Sequence, residues 1–544
     1  MATGRNQPCP CGSARKYKRC CGNPLKMSLK GIHRPTESRV ADGIAKALEH
    51  HKASELIRCQ QQGLGKPIIS TEHQGRRLVA VGNKVYHSTK FKTFPDFLFA
   101  YVKGKLGSEW GNAEIVKPLE ERHIILQWYN EYYLFQKRHF DKDHEIQSFP
   151  ATGVVNCYLG LAYSLYLLEH NVELQDRLLK RLKDSANFQG AYYELIVANC
   201  LIRAGFDLVL EDETDRASKH CEFSAVSQKT GKKYWVEAKM RAVSGILGKS
   251  DHDGTQSLEP TSSLIQHVNK ALAKPAADER LIFIDLNTDP PDGQSLPDWM
   301  ERAAQKLEGL EKTYQKGERA YIFVTNMAFH RRLTDARPAG AVLVHGFGIP
   351  DFGRPGEYRL TEIYRKRQKH KDAYHIFEAV KEYPKFPSTF DGSLPSETFG
   401  DGGGRIIIGE TYFFPDMDEK GITGTVTSAM VSETEKTEHL GITTKDNGSF
   451  ILSRPMTEAE LTDYKNHPEA FFGVILQPPG NANDPYELFE FFVGCYKNSS
   501  KEKLLEFLKD SQDTDSLAAL PHMDLVLEYC ERLVAAAVAG QENR

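Results

Sequence analysis

The 544-residue sequence lacks the marks of a secreted, membrane or nucleotide-hydrolysing protein. Its first residues are polar and rich in cysteine, so they contain no apolar core of the kind that defines a signal peptide. No run reaches the roughly 18 consecutive apolar residues that a membrane helix needs, and the apolar run at 532–538 is too short. No G-x-x-x-x-G-K-[ST] loop is present, so a nucleoside triphosphatase is unsupported. These absences predict a cytoplasmic protein with no membrane partner.

Acidic residues are missing from the first 36 positions, which carry eight Lys or Arg. The formal net charge of -3 hides this asymmetry. Four thiolates and one Zn²⁺ would still leave the segment positive, which suits an anionic partner such as nucleic acid. The other interpretation is a solvated basic tail.

Cysteine is too sparse and too uneven for a disulfide scaffold. Four of the ten cysteines lie within the first 21 residues, and the other six are scattered. This distribution fits a reducing compartment with one metal site. The cluster has the spacing C-x-C-x8-C-C, and two such pairs can close a tetrahedral thiolate shell around zinc. A disulfide pair and accidental clustering are the alternatives, but the adjacent Cys20 and Cys21 are poorly placed to bond each other.

Residues 8–22 resemble the SEC-C motif, a zinc-binding segment known from a translocation ATPase and attached to unrelated proteins. The resemblance implies that one structural Zn²⁺ is bound by Cys9, Cys11, Cys20 and Cys21. So small a segment has no hydrophobic core, so the metal would supply most of its folding energy. In the ATPase the motif contacts a chaperone and the ribosome, which implies a protein or ribosome partner here.

The length predicts three or four domains. Pro150 and Gly153 interrupt the chain before a long helical stretch, and a boundary is placed there. The predicted units are a zinc module, a mixed α+β domain, a nuclease-like α/β core and a C-terminal α+β region of unknown role, at residues 1–26, 27–150, 151–345 and 346–544.

Aromatic residues are concentrated in the second of these units. A helix is predicted near 38–50, a hairpin turning at Gly82-Asn83, and helical spacing across 91–110 and 120–138. Aromatic residues interleaved with Lys and Arg in this region could stack on nucleic-acid bases. A buried helical face is the other interpretation, and the commoner one.

The third unit alternates helices with apolar strands. Helices are predicted at 154–183, 190–204, 264–272 and 299–314. Strands are predicted at 206–210, 220–226, 233–239, 281–286, 320–325 and 341–348. Apolar runs separated by helices are typical of a mostly buried mixed sheet flanked by helices.

The strand at 233–239 ends in Glu-x-Lys and carries the most specific chemistry of this unit. Side chains alternate along a strand, so Glu237 and Lys239 share one face. Glu222 lies on the preceding predicted strand. Carboxylates can hold Mg²⁺ or Mn²⁺ beside a scissile phosphate, while a lysine orients the attacking water and stabilises developing charge.

Residues 185–330 resemble the PD-(D/E)xK nuclease superfamily. The resemblance implies that Glu222 and Glu237 bind magnesium or manganese, that Lys239 serves the water, and that Glu194 is the helical acid. Gln266 would match the glutamine that some branches place on the following helix.

The sequence departs from this pattern where Cys221-Glu222 replaces the Pro-Asp pair. Glutamate keeps the carboxylate but extends it by one methylene, which leaves the metal geometry and the activity open. The alternative to a nuclease site is an exposed strand pair whose charges face solvent.

The C-terminal region offers no chemical interpretation. Its basic run at 364–371 suits either a phosphate-contacting face or a solvated helix. Strands are predicted at 405–408, 424–431 and 450–452, and helices at 501–510 and 522–538. Thr457 and Glu460 form a capping-box pattern that predicts a further helix start.

Two functions follow from the sequence. The first is a Mg²⁺- or Mn²⁺-dependent nuclease recruited to nucleic acid by the N-terminal zinc module. The second is a non-catalytic adaptor that uses the zinc module and a degenerate nuclease fold to bind nucleic acid or a ribosome or chaperone partner.

Overall fold

A computed structural model describes residues 37–140, 146–210, 223–243, 247, 259–289, 296–314, 317–336, 338–353, 358–400, 404–415, 421–446, 448–476 and 484–542. Across these ranges the protein is a mixed α/β structure with three sheets, which confirms the predicted class at that level. The zinc module predicted at 1–26 lies outside them. No helix in these ranges combines the length and apolar character needed to cross a membrane.

The N-terminal elements are a long helix, a three-stranded antiparallel meander and three helices: α1 (Glu37–Gln62), β1 (Ile69–His73), β2 (Arg76–Val81), β3 (Lys84–Ser88), α2 (Phe94–Leu106), α3 (Ser108–Ile115) and α4 (Ile124–His139). The predicted hairpin is confirmed, because Val81 pairs with Lys84 across the turn. Gly82 takes a φ of 56° there, a region that glycine enters without steric cost. The predicted helix at 38–50 continues to Gln62.

Three helices then lead into the central sheet: α5 (Gly153–Asn171), α6 (Asp176–Lys183) and α7 (Phe188–Arg203). Nearly every side chain of α5 is buried, as expected for a helix that is apolar on all sides. The prediction of one helix over 154–183 was wrong. The break follows Asn171, whose side chain and carbonyl both accept hydrogen bonds from Lys66.

The central sheet has six strands in sequence order: β4 (Phe206–Leu210), β5 (Phe223–Ser227), β6 (Lys233–Met240), β7 (Arg280–Asp285), β8 (Ala320–Asn326) and β9 (Ala341–Phe347). β4, β5 and β6 are antiparallel, β6, β7 and β8 are parallel, and β9 returns antiparallel to β8. The parallel pairs are joined by crossover helices, α8 (Leu264–Leu272) and α9 (Asp298–Thr313). This is the connection that parallel strands require.

Helices cover both faces of this sheet. On one face Val236, Ala238 and Phe283 join the large buried cluster around α5 and α7. On the other face Ile282 and Ile284 pack with α8 and α9. Because the parallel strands are buried on both faces, their sequences are continuous apolar runs.

The large buried cluster extends beyond the predicted nuclease-like unit. It includes Val79 and Trp128 on one side of residue 150, and Ile376 and Phe390 beyond residue 345. The predicted domain boundaries stay predictions, and side chains from both sides of the boundaries at 150 and 345 pack together.

The C-terminal region begins with α10 (Leu360–Lys369), α11 (Lys371–Glu382) and α12 (Pro395–Phe399). It continues with an antiparallel meander and one helix: β10 (Thr411–Phe414), β11 (Ile422–Ser432), β12 (Thr437–Thr444), β13 (Ser449–Pro455) and α13 (Glu458–Asn466). The chain closes with a helical bundle: α14 (Pro485–Tyr496), α15 (Lys501–Phe507), α16 (Thr514–Ala519) and α17 (His522–Glu542).

Two predictions for this region have opposite outcomes. The capping box is confirmed, because Thr457 accepts from the backbone of Glu460 while Glu460 accepts from the backbone of Thr457. The strand predicted at 405–408 was wrong. The Ile408 amide donates to the Phe472 carbonyl, whereas the Ile407 amide donates to the Tyr412 hydroxyl. The segment therefore does not pair along one neighbouring strand.

The basic run at 364–371 is mostly neutralised within the protein. Arg365 pairs with Asp524 at 2.9 Å, Arg367 lies 4.0 Å from Glu490, and Lys369 pairs with Asp351. The predicted phosphate-contacting face would compete with these acids. The pairs with Asp524 and Glu490 connect α10 to the C-terminal bundle, and both interpretations of the run stay predictions.

Candidate functional site

Glu237 lies on β6 and is buried within the sheet. Tyr234, Val236 and Ala238 pack into the cluster beside α7, so the alternating residues Glu237 and Lys239 face the layer of α8 and α9. Only 3% of Glu237 is exposed. A carboxylate in that position requires charged partners, because burying an unpaired charge is costly.

Two lysines supply those partners. The Lys274 ammonium donates to Oε2 of Glu237 at 2.7 Å. The Lys239 ammonium lies 2.9 Å from Oε1, off the direction of a hydrogen bond, so that oxygen makes no aligned bond within the described ranges. The described part of this cluster therefore consists of one carboxylate and two ammonium groups, and each ammonium lies beside a different Glu237 oxygen.

Lys274 was not predicted from the sequence. It lies just after α8, in the connection that returns the chain to β7, and its carbonyl accepts from Arg280 at 3.0 Å. Its position in the sequence could have indicated this role, because a lysine at the end of a crossover helix lies beside the strand that the helix covers.

Two neighbouring residues of α8 differ in burial. The Gln266 side chain is exposed. The next residue, His267, is half-buried, and burial lowers its pKa, with smaller contributions from Lys270 and Lys239. The predicted role of Gln266 stays a prediction.

Glu194 is held by an arginine. Arg181 of α6 donates one hydrogen bond to each carboxylate oxygen, both at 2.6 Å. α7 packs on the sheet face opposite to the one that carries Glu237. Glu194 also lines a small cavity with Arg177 and Phe223, the first described residue after Glu222. This geometry indicates a structural carboxylate, while the predicted catalytic role stays untested.

Replacing Glu194 with glutamine is expected to lower the free energy of unfolding by about 1–3 kcal/mol. The Arg181 guanidinium would keep its partly buried position and lose its counter-charge. Urea denaturation measures the change. The matched control is Glu378→Gln, at an exposed ion pair with Lys381, where a change under about 0.5 kcal/mol is expected. Equal shifts in both variants would show that the Arg181 pair does not contribute specially to stability.

The other predicted ligands lie outside the described residues. This applies to Glu222 and to the four cysteines, Cys9, Cys11, Cys20 and Cys21. The described part of the ladder between β5 and β6 begins at the pairing of Phe223 with Val236, and Phe223 is the first described residue after Glu222.

A divalent-cation site at Glu237 stays a prediction. Oε1 of Glu237 is a buried oxygen without an aligned hydrogen bond, whereas Oε2 accepts from Lys274. Among the described residues no three His, Cys, Asp or Glu side chains lie close enough to share a metal. Magnesium would need oxygen ligands beyond Glu237. The predicted second ligand, Glu222, lies outside the described residues.

A second polar cluster, missed from the sequence, lies at the carboxyl end of β7. Asp285 is fully buried and accepts hydrogen bonds from Thr325 Oγ1 at 2.8 Å, the Met327 amide at 2.8 Å and the Asn287 amide at 2.9 Å. Burial raises the pKa of Asp285 to about 6, although these donors oppose the shift. A carboxylate inside an otherwise apolar strand was the sequence signal.

Asn287 connects this carboxylate to the short helix Phe329–Arg331. Asn287 has a φ of 43°, and its carbonyl accepts from the Arg331 guanidinium at 2.7 Å. Arg331 also pairs with Asp289 at 2.9 Å. The network fixes the carboxyl edge of the parallel strands, where ligands of open α/β sheets usually bind.

Comparison with known proteins concerns the N-terminus alone. Residues 5–23 match the SEC-C motif. The segment is similar to a UPF0225 protein of Pectobacterium carotovorum subsp. carotovorum, 75% identical over 22 residues, which is 4% of this chain and 14% of that protein. A UPF0225 protein of Photorhabdus laumondii subsp. laumondii is 79% identical over 19 residues, 4% of this chain and 12% of the relative. The chain thus spans a small fraction of these relatives. No solved structure matches it.

Proposed function

We propose that the protein is a metal-dependent nuclease that hydrolyses phosphodiester bonds at Glu237 and Lys239. The observation that carries the proposal is the buried Glu237 carboxylate with the Lys239 ammonium 2.9 Å away on the same strand face. The order of elements supports it: α7, then β4, β5 and β6, then α8. That is the order on which the resemblance to the PD-(D/E)xK superfamily rests.

The two lysines have different tasks in this proposal. Lys239 is one-third exposed, so its ammonium can meet a phosphate, orient the attacking water and stabilise the charge that develops on the phosphoryl oxygens. Lys274 is a positioning residue, because its hydrogen bond to Oε2 holds the Glu237 carboxylate in one orientation. A divalent cation bound by Glu237 and Glu222 would supply further neutralisation of the non-bridging oxygens.

The zinc module is proposed as the recruiting element. A SEC-C motif at 5–23 lies within a segment of eight Lys or Arg and no acid. Such a segment attracts nucleic acid through its phosphates, and a ribosome or chaperone partner is the alternative carried over from the motif. The predicted cytoplasmic location is consistent with both.

Replacing Lys239 with alanine is expected to lower the cleavage rate by about 10²–10³-fold, since a preorganised charge at the transition state is lost. The assay uses plasmid and labelled single-stranded and duplex oligonucleotides, with Mg²⁺ or Mn²⁺ and with EDTA. Lys312→Ala is the matched control, because Lys312 is an exposed lysine on α9. Equal background rates for the wild type and Lys239→Ala would defeat the nuclease proposal.

A non-catalytic adaptor is the second candidate, and one observation favours it. Lys274 occupies Oε2 of Glu237 and the Lys239 ammonium lies 2.9 Å from Oε1, so a lysine already faces each oxygen where a metal would bind. Such a site would bind phosphate through Lys239 without cutting it. Metal-independent binding of oligonucleotides that weakens in Lys239→Ala, with no cleavage under any condition, would establish the adaptor.

A further inference from the structure

A pocket separate from Glu237 opens between α4, the start of α5 and the segment 333–336. Its walls include Glu131, Phe135, Arg138 and His139 from α4. Thr152 and Thr334 line the opposite side. The pocket therefore combines aromatic rings, a guanidinium, a carboxylate and hydroxyl groups.

The floor of the pocket is rigidly built. Thr152 forms a β-bridge with Ala336, and the Val154 amide donates to the Leu333 carbonyl at 2.9 Å. A Cβ on Gly153 would lie 2.0 Å from the Arg332 carbonyl oxygen, so only glycine permits this approach. The start of α5 and the segment 333–336 are thus held together without help from a ligand.

The Thr152 hydroxyl is the feature that points to a ligand. Thr152 is 7% exposed, and its Oγ1 is buried without a hydrogen-bond partner in the described ranges. It occupies the N-cap of α5, where a threonine ordinarily accepts from the helix backbone, yet it makes no such bond. A buried hydroxyl left unpaired is costly, and a ligand that pairs it removes the cost.

Aromatic rings form the wall beside this hydroxyl. The Phe135 and His139 rings lie 4.5 Å apart and are inclined by 34°, and Phe149 contacts both of them. The side chains of Glu131 and Arg138 make no hydrogen bond or ion pair with the part of the chain that the structure describes. Their polar groups are therefore available to a ligand.

We propose that this pocket holds an unpaired nucleobase of a single-stranded nucleic acid. A planar base stacks on the Phe135–His139 wall, its polar edge pairs with Thr152 and Glu131, and Arg138 meets the adjoining phosphate. Every base offers a face for stacking, and a base can enter a pocket only when it has left the duplex. The base and its phosphate are also found in a free nucleotide, which the experiment separates from a strand.

The pocket is linked to the carboxyl edge of the sheet through one segment. The segment 333–336 begins two positions after Arg331, which binds Asn287 beside Asp285. A strand seated in the pocket would thus approach the edge at which β6, β7 and β8 end. The inference rests on the proposed function for its choice of a strand as ligand.

The test measures binding of the full-length protein to a fluorescein-labelled mixed-sequence 12-mer by anisotropy, at fixed salt and without added Mg²⁺, Mn²⁺ or chelator. Phe135→Leu is expected to weaken single-strand binding about 5- to 100-fold, and Thr152→Val about 2- to 10-fold. Binding of a blunt duplex should not change. Thr152→Val should also keep or raise the thermal stability, because it removes an unpaired hydroxyl. Tyr133→Ala, on the exposed side of α4 and outside the pocket, is the control.

Three results would overturn the proposal. They are unchanged single-strand binding in both variants, an equal loss for duplex and single strand, and a Thr152-dependent affinity for adenosine monophosphate with no effect on the 12-mer. The last result would reassign the pocket to a free nucleotide. Because the binding assay contains no added Mg²⁺ or Mn²⁺ and reads binding instead of cleavage, failure here is distinct from failure of the Lys239 cleavage assay.

Discussion

Replacing Glu237 with glutamine is expected to reduce cleavage by at least about 100-fold. Glutamine keeps the side-chain shape, and its amide oxygen can still accept from Lys274. It removes the negative charge that faces Lys239 and that a divalent cation would share. Initial rates on a labelled oligonucleotide with Mg²⁺ or Mn²⁺ measure the loss, at equal folded fractions judged by circular dichroism.

The same substitution should also destabilise the protein by about 1–3 kcal/mol, because Lys274 is mostly buried and would lose its counter-charge. Glu301→Gln is the control, since Glu301 is an exposed glutamate of α9 in the same layer. A Glu237→Gln variant that cleaves at the wild-type rate while Lys239→Ala does not would separate the two residues. Lys239 would then act in cleavage without the Glu237 carboxylate, and the proposal of a divalent cation bound by Glu237 would be wrong.

Replacing Cys9 with serine is expected to remove zinc from the protein almost completely. A neutral hydroxyl is a poor substitute for one of four thiolates, and a segment without a hydrophobic core depends on the metal for its folding. Metal analysis of the purified wild type should give one zinc per chain, and Cys11→Ser should behave as Cys9→Ser does. The match of residues 5–23 to the SEC-C motif supports the choice of residues.

Cys495→Ser is the matched control for zinc content, because Cys495 is an exposed cysteine far from the motif in sequence. It should leave the zinc content unchanged. Equal zinc content in the wild type and Cys9→Ser would defeat the assigned ligand set. If the module recruits nucleic acid, Cys9→Ser should weaken binding while the cleavage rate at saturating substrate is kept.

Local patterns were predicted well. Helix α8 begins and ends where the sequence predicts, at Leu264 and Leu272. The turn at Gly82-Asn83 and the capping box at Thr457 also appear as expected. Each depends on interactions within a few residues: the helical period, a positive φ, and hydrogen bonds between neighbouring backbone and side-chain groups.

Long-range partners were not predicted. Lys274 is 37 positions from the carboxylate it binds, and Arg181 is 13 positions from Glu194. The basic run of α10 finds Asp524 and Glu490 more than a hundred residues along the chain. No local pattern indicates which acid will meet which base, because the pairing is set by how helices pack on the sheet.

By itself, the sequence determined the alternation of Glu237 and Lys239 on one strand, the mixed α/β class and the cysteine spacing of the N-terminal motif. These follow from covalent spacing and from the period of each element. Only the tertiary structure decided that Lys274 completes the charge cluster, that Arg181 neutralises Glu194, and that Thr152 is left with an unpaired hydroxyl. The reason is physical: the charge balance of a buried group depends on the side chains that packing brings to it, and those come from distant positions in the chain.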